Sequence, residues 1–208
     1  MKALVLMVGL WGLCSLAYGA GFDDELLAVQ QQWAHIQYEL PDKEREKAFE
    51  ALTDQVDGWV EANPQRPEAL IWQGIVLSTY AGAKGGLGAL SLVKKARKAL
   101  EAALVLNERA LEGSAHTSLG SLYYQVPGWP LSFGDDDEAA RHLRAALQIN
   151  PDGIDPNYFF GDFLMDQGDK GRARVYLEKA LAAPDRPGRS VADAGRRQEI
   201  RARLEMLN

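Results

Sequence analysis

Apolar side chains recur along most of the chain with the spacing of an amphipathic α-helix. In the stretch 113–151, four residues at i, i+3, i+4 and i+7 share one helical face: His116, Leu119, Gly120 and Tyr123. A second run with helical spacing begins at Ala139 and ends before Pro151, because proline disfavours helical geometry at the preceding residue. The stretch therefore predicts two packed helices joined by a loop.

Similar pairs of apolar stripes lie on both sides of this stretch, and no series of alternating β-branched runs predicts strands. Pro41 separates two predicted helices near the N-terminus, and Gly168 marks a tight turn between two others. The glycine-rich residues 80–90 are expected to form a loop, since glycine continues a helix only at a cost. The predicted segments are a leader at 1–19, a helix pair at 20–66, helix pairs at 67–110, 111–151 and 152–185, and a C-terminal capping helix at 189–208.

An internal repeat is the main signal in the sequence. Alanine–leucine–alanine sets, spaced by four and then three residues, occur in three predicted second helices: Ala96/Leu100/Ala103, Ala139/Leu143/Ala146 and Ala173/Leu177/Ala180. A glycine in the predicted first helix precedes each set: Gly74, Gly120 and Gly161. This pattern resembles the tetratricopeptide repeat, whose period is about 34 residues. The resemblance covers 67–184 well and 22–64 weakly. It implies an all-α fold, a right-handed α-solenoid of about three divergent helix pairs with an N-terminal helix pair and a C-terminal capping helix.

Two of the predicted units are longer than the repeat, by about 10 residues at 80–90 and by about 7 at 126–134. The turns within successive units of a solenoid lie along one edge, so the two inserts are expected to touch. In the second insert, Trp129 and Phe133 are expected to pack inward, and an exposed aromatic docking site is the alternative. Lys84 precedes glycines that lack the Gly-Lys-Ser/Thr ending of a phosphate loop, so a turn is favoured there over an anion site. The candidate insert residues are Lys84, Trp129, Leu131 and Phe133.

The N-terminus has the features of a secretory signal peptide. Lys2 supplies a positive charge, residues 3–13 form an apolar run too short to span a bilayer, and small residues precede a cleavage position after Gly19. We therefore expect an exported, periplasmic protein without a transmembrane segment in the mature chain. The alternatives are an uncleaved anchor and lipidation at Cys14. Because Cys14 is the only cysteine, helix packing rather than disulfides would stabilise the mature fold.

The leader, residues 71–101 and residues 123–139 together resemble a group of exported bacterial tetratricopeptide proteins. A more distant resemblance is to the periplasmic T component of TRAP-type transporters. Members of that family are helical-repeat proteins thought to bind a ligand or a binding protein. The second resemblance therefore implies a small-molecule ligand as an alternative to a protein partner.

The tetratricopeptide resemblance also implies a binding site on the concave face formed by the first helices, where such proteins commonly bind extended peptides or partner helices. The candidate lining combines apolar, hydroxyl, amide and carboxylate groups, which suit peptide recognition. Its residues are Ile71, Ile75, Ser78, Thr79, Thr117, Ser121, Tyr124, Gln125, Tyr158, Asp162 and Asp166. The alternatives are a groove filled by the C-terminal helix and a face that is merely solvated.

Charge and motifs argue against other classes of function. The formal net charge of the 208 residues is −6, which disfavours a nucleic-acid interface. The acidic run 135–138 suits the start of a helix better than a calcium loop. The histidines have no metal-ligand spacing: His35, His116 and His142. Of these, His116 is expected to pack between helices and His142 to lie on the surface.

We therefore predict a non-enzymatic exported adaptor that binds a protein or peptide partner through its concave face and loop-bearing rim, without a metal or cofactor. The alternative is a periplasmic ligand-binding or transporter-accessory protein whose helices enclose a cavity. A well-formed pocket lined by four residues would favour that alternative: Ile71, Ile75, Tyr124 and Tyr158. An open polar groove would favour the adaptor. A third reading is an enzyme in which Asp162 and Asp166 converge in a cleft.

Overall fold

The computed structural model describes the backbone of residues 14–208 and the side chains of residues 21–208. Within that range the chain is all-α, with nine α-helices and one short 3₁₀ helix. The helices are α1 (Cys14–Tyr38), α2 (Asp42–Ala62), α3 (Pro67–Lys84), α4 (Gly86–Asn107), the 3₁₀ helix Ala110–Gly113, α5 (Ser114–Gln125), α6 (Asp136–Ile149), α7 (Ile154–Asp166), α8 (Lys170–Leu181) and α9 (Ser190–Glu205). Most of the predicted signal peptide, residues 1–13, lies outside the described residues. None of the described helices is both long and apolar enough to cross a membrane.

The glycine and the central leucine of each predicted repeat lie against each other. An added Cβ would meet the leucine Cγ in all three pairs: Gly74–Leu100 at 2.4 Å, Gly120–Leu143 at 2.5 Å and Gly161–Leu177 at 2.9 Å. The six flanking alanines are fully buried: Ala96, Ala103, Ala139, Ala146, Ala173 and Ala180. Small residues let the two helices of each pair approach closely while leucine fills the remaining space. The predicted repeat packing is therefore confirmed.

The glycine-rich stretch is not the loop predicted for residues 80–90. Helix α3 continues to Lys84 and α4 begins at Gly86, so almost the whole stretch is helical. The break is confined to Gly85 and Gly86, whose φ angles are +64° and +60°. Positive φ angles of this size belong to the left-handed region, which favours glycine. Two such residues in succession end one helix before the next begins. Burial of Tyr80 and Ala81 stabilises the last turns of α3 despite the neighbouring glycines.

The insert between α5 and α6 packs only in part, contrary to the expectation that both its aromatic rings turn inward. Phe133 packs edge-on against Tyr123, with 5.5 Å between ring centroids, and the Arg97 guanidinium lies 4.5 Å above its ring. In contrast, 91% of Trp129 is exposed, and Leu131 is also largely exposed. The prediction for Trp129 was therefore wrong, because Phe133 alone fills the space beside Tyr123.

The acidic run at the start of α6 is a helix cap, as predicted. One carboxylate oxygen of Asp135 accepts hydrogen bonds from the backbone N–H of Asp137 at 2.9 Å and of Glu138 at 3.0 Å. These are backbone donors that have no partner within the first turn of a helix. The backbone N–H of Asp135 in turn donates to the carbonyl of Tyr123 at 2.9 Å, which ties the end of the insert to α5.

The two histidines of this unit form a buried pair. Nδ1 of His116 and Nδ1 of His142 are 2.8 Å apart, and both rings are almost completely shielded from solvent. His116 packs between helices as predicted. The surface position predicted for His142 was wrong, because the side chain lies between His116 and the stacked ring of Tyr123.

Consecutive helices pack against each other along the chain, as in a solenoid, and the first helix also contacts the last. The ring of Tyr38 lies on Gly195, and Leu27 lies against Gly188 in the α8–α9 connection. The side-chain amide of Gln31 donates to the carbonyl of Gly188 at 3.3 Å. The contact between α1 and α9 brings the first and last described helices together beside the concave face, and we call it the closure contact.

Candidate functional site

A cavity of about 1100 Å³ lies on the concave side of the solenoid. Its lining comes from α1, α3 and α5 on one side, and from the start of α7, residues 184–189 and α9 on the opposite side. The closure contact therefore brings residues from both ends of the described chain to one cavity. Its volume slightly exceeds the upper end of about 300–1000 Å³ that is usual for ligand pockets.

One wall of the cavity is polar but uncharged. Helices α3 and α5 contribute hydroxyl and amide side chains to it: Ser78, Thr79, Ser114, Thr117, Ser118, Ser121 and Gln125. Such groups both donate and accept hydrogen bonds, so they can satisfy the polar groups of an extended chain or of a polyfunctional small molecule. Six of the eleven residues predicted for the concave face line this cavity: Ile75, Ser78, Thr79, Thr117, Ser121 and Gln125.

The other five predicted residues are placed elsewhere. Ile71 is completely buried in the helix core, and Asp166 is exposed at the end of α7. Tyr158 and Asp162 of α7 are buried where α9 packs on α7, and Tyr124 of α5 lies against α7, with its hydroxyl on Asp162 and its ring near Phe163. The C-terminal helix therefore occupies part of the face, as one of the alternatives anticipated, and leaves the α3–α5 part open.

Asp162 is held by two partners rather than poised in a cleft. It accepts a hydrogen bond from the hydroxyl of Tyr124 at 2.8 Å. It also forms an ion pair with Arg203 of α9 at 2.7 Å. Burial, reinforced by Asp162, raises the pKa of Tyr124 well above its usual value, so the phenol stays protonated and donates. Because Asp162 binds α9 and Asp166 is exposed, the two carboxylates do not converge as the enzyme reading required.

The opposite wall carries a network of charges around Asp155 at the start of α7. Its two oxygens bind Arg186 at 2.6 Å and Arg196 at 2.9 Å. Arg186 also binds the buried Asp193 at 2.7 Å, and Arg196 binds Glu199 one turn further along α9. Burial raises the pKa of Asp155, but Arg186 and Arg196 outweigh it and hold the pKa well below its usual range. The network thus fixes α9 and residues 184–189 onto α7.

Aromatic rings form the surface between the neutral and the charged walls. Trp33 and Tyr38 of α1, Trp72 of α3 and Phe159 of α7 line this part of the cavity. The indole N–H of Trp33 donates to the hydroxyl of Thr79 at 3.0 Å, which fixes the orientation of both side chains. The guanidinium of Arg189 lies 5.2 Å from the ring of Trp72.

The predicted insert residues do not belong to this cavity. Lys84, the last residue of α3, binds Glu46 at 3.1 Å and the hydroxyl of Tyr80 at 3.3 Å. Phe133 packs beside Tyr123, as described above. Trp129 and Leu131 are exposed at the tip of the second insert.

Several cavity residues were missed by reasoning from the sequence: Trp33, Tyr38, Trp72, Asp155, Arg186, Arg189 and Arg196. Trp33 and Trp72 lie in predicted helices, where a large apolar side chain usually belongs to the core. The arginines lie in or beside the predicted capping helix, where charge is usual on a solvated face. Only the closure contact turns them toward the concave side.

Comparison with known proteins identifies part of this architecture. Residues 131–190 match the family model described as Tetratricopeptide repeat. The match includes α6, α7, α8 and the connection to α9, and of the charged wall it includes Asp155, Arg186 and Arg189 but not the residues of α9. No curated protein matches the chain.

Proposed function

We propose, from the tetratricopeptide repeat at residues 131–190 and the cavity beside it, that this protein is a non-enzymatic scaffold that binds a segment of a protein partner on its concave face. Tetratricopeptide repeats are typical of protein–protein interaction scaffolds, and the neutral polar wall has the hydrogen-bonding capacity that a peptide backbone requires. The observation that carries the proposal is the α3–α5 wall, where six predicted groove residues line one cavity.

The test compares a substitution that fills the cavity with one on the outside. Peptides are selected from a displayed random library on the wild-type protein, and their affinities are then measured by fluorescence polarisation. Ser121→Trp places an indole in the cavity and is expected to weaken binding at least tenfold. Val105→Trp adds the same ring at a position that is 86% exposed and away from the cavity, and it should leave affinity unchanged. Equal affinity of the selected peptides for wild type and Ser121→Trp would count against the concave site.

A second candidate is a ligand-binding or transporter-accessory protein, and the closure contact favours it. The contact of Tyr38 with Gly195 holds α9 beside the concave face and narrows it to a cavity with walls on two sides, whereas a scaffold for long peptides benefits from an open groove. The cavity is polar on two sides, so its ligand would be a polar molecule with an apolar part that packs on Trp33 and Trp72. Native mass spectrometry of protein purified under mild conditions separates the candidates, because a carrier is expected to retain a small molecule of defined mass.

We also propose that the protein is exported and acts in the periplasm. This rests on the charge, apolar run and small residues of 1–19. Mass spectrometry of the intact protein from cell fractions tests it. A periplasmic species that begins at Ala20 is the expected result, and a cytoplasmic species that begins at Met1 would contradict the proposal.

A further inference from the structure

Arg189 is the cavity-lining cation whose charge has no partner. Among the described residues, no carboxylate oxygen lies within 4 Å of its guanidinium, and its Nε is buried without a hydrogen-bond acceptor. It contacts the ring of Trp72, whose indole N–H is also buried without an acceptor. Two orphaned donors therefore lie next to each other at the edge of the cavity, although buried donors are almost always satisfied.

The neighbouring carboxylates are already engaged by other arginines. Arg186 is bound by Asp155 and Asp193, and Glu199 binds Arg196. Burial, followed by repulsion from Arg186, lowers the pKa of Arg189 to about 10, which leaves the group charged at neutral pH. A buried cation with unsatisfied donors is costly, so it is normally paired. An anion in the cavity would pair with the terminal nitrogens of the guanidinium, while the buried Nε stays out of its reach.

We propose that Arg189, stacked on Trp72, is the recognition site for a carboxylate group on the molecule that occupies the cavity. This rests on the proposed function, because it assigns a chemical group to the occupant of the same cavity. The site exists only in the closed solenoid, since Arg189 precedes α9 and Trp72 belongs to α3.

The geometry and charge of the surroundings select a carboxylate over a more highly charged anion. The planar guanidinium fork matches the two oxygens of a carboxylate, and the stacked ring of Trp72 leaves the N–H edge free to bind. The charged wall holds three carboxylates, Asp155, Asp193 and Glu199, against the two arginines Arg186 and Arg196. The negative charge left over would repel a dianion such as a phosphate monoester more strongly than a carboxylate. The rest of the ligand would meet the neutral hydroxyl and amide wall.

Two sources carry this group, a peptide C-terminus and a small organic acid, and matched probes separate them. The first pair is an acetylated tetra-alanine peptide with a free C-terminal carboxylate and the same peptide as its amide. The second pair is benzoate and benzamide. Calorimetry on the full-length protein is expected to show that at least one acid binds ten or more times tighter than its amide. The pair that shows this difference identifies the source.

The variants connect the preference to Arg189. The Arg189→Gln variant is expected to bind the acid at least ten times more weakly than the wild type and to bind acid and amide equally. The Arg189→Lys variant should keep part of the preference for the acid over the amide. The matched control is Arg97→Gln, which removes an arginine that also stacks on an aromatic ring but lies outside the cavity.

Three results would overturn the proposal: equal binding of acid and amide by the wild type, no binding of any probe up to about 10 mM, or an acid preference that survives Arg189→Gln. The proposed scaffold function fails separately, through library peptides that still bind Ser121→Trp. An amide-capped library peptide that needs the open cavity would support the scaffold while contradicting the carboxylate site.

Discussion

The ring of Tyr38 at the end of α1 lies directly on the backbone of Gly195 in α9. A Cβ at position 195 would be 2.3 Å from Cγ and from Cδ1 of that ring, which is too close for carbon atoms that are not bonded to each other. Cγ and Cδ1 of Tyr38 lie close to the backbone of their own residue, so they have little freedom to move away from a Cβ at position 195. Glycine at this position is therefore required for the close approach of α1 and α9.

Gly195→Ala is expected to separate α9 from α1 and to lower the free energy of unfolding by about 1–3 kcal/mol, the usual cost of an added group in a packed interface. Hydrogen exchange of α9 amides and urea unfolding measure the two effects. Gly58→Ala is the control, because Gly58 lies within α2 with nothing within 4 Å of the added Cβ. That change should be neutral or stabilising by up to about 1 kcal/mol. Unchanged exchange in α9 of the Gly195 variant would contradict the closure role.

Gly120, the glycine of the middle repeat, should tolerate an added methyl group as poorly as Gly195, for a different reason. At Gly120 a Cβ would be 2.5 Å from Cγ of Leu143 and 3.1 Å from its backbone nitrogen, so the leucine side chain and the helix α6 would both have to move. We expect Gly120→Ala to cost about 1–3 kcal/mol in chemical denaturation. Adding Leu143→Ala should recover part of the Gly120→Ala loss, which a double-mutant cycle measures as a coupling energy. Strict additivity would show that the two positions do not share one packing constraint.

The repeat packing was predictable because it depends on local spacing. The pairing of Gly120 with Leu143 follows from helical periodicity within one unit, and the cap at Asp135 follows from the chemistry of a helix start. Each requires only residues that are near each other in the sequence. The groove residues came instead from the tetratricopeptide resemblance, and six of the eleven line the cavity, among them Ser78 and Thr117.

The closure contact and the charged wall were not predictable in this way. Whether Tyr38 meets Gly195 depends on small rotations that accumulate from unit to unit along the solenoid, and divergent repeats leave those rotations unspecified. Arg189 lies in a connection without periodicity, so no pattern indicates which way it faces. Tyr158 was expected to be a groove residue because the sequence does not show that α9 packs on α7. Tyr124 was expected there because the sequence does not show that its hydroxyl binds Asp162.

Asp155 should contribute more to stability than a surface acid of the same solenoid. It joins Arg186 and Arg196 to α7, and its pKa is lowered because those two cations outweigh the effect of burial. Asp155→Asn removes the negative charge that Arg186 and Arg196 share, and we expect it to lower the free energy of unfolding by up to about 3 kcal/mol. Asp152→Asn removes a carboxylate that is 78% exposed and binds Lys179, and it should cost less than about 1 kcal/mol. Urea unfolding at pH 7 compares the two, and equal losses would show that the network is no stronger than a surface pair.

The protonation states of the buried histidine pair follow from its neighbours. Arg141 can only donate, and its guanidinium lies 3.0 Å from Nε2 of His142, so that nitrogen accepts. The proton of neutral His142 is then on Nδ1 and is donated to Nδ1 of His116. A further proton on either accepting nitrogen breaks one of these bonds. Glu108 near His116 and Glu138 near His142 favour the charged forms, and they are outweighed by burial and Arg141.

This pair should make the protein less stable as the pH falls from about 6.5 toward 4. Burial, then Arg141 and His116, lowers the pKa of His142 to about 4 from 6.5, and burial also lowers the pKa of His116. The unfolded chain therefore binds protons that the folded chain excludes, and the free energy of unfolding is expected to fall by about 1–2 kcal/mol between pH 7 and pH 5. His116→Leu combined with His142→Phe removes both groups and should flatten the profile in this window. His35→Gln, at an exposed histidine beside Glu39, should leave the slope intact. Urea unfolding across the pH range measures all three proteins, and a double variant with the wild-type slope would assign the pH dependence to other groups.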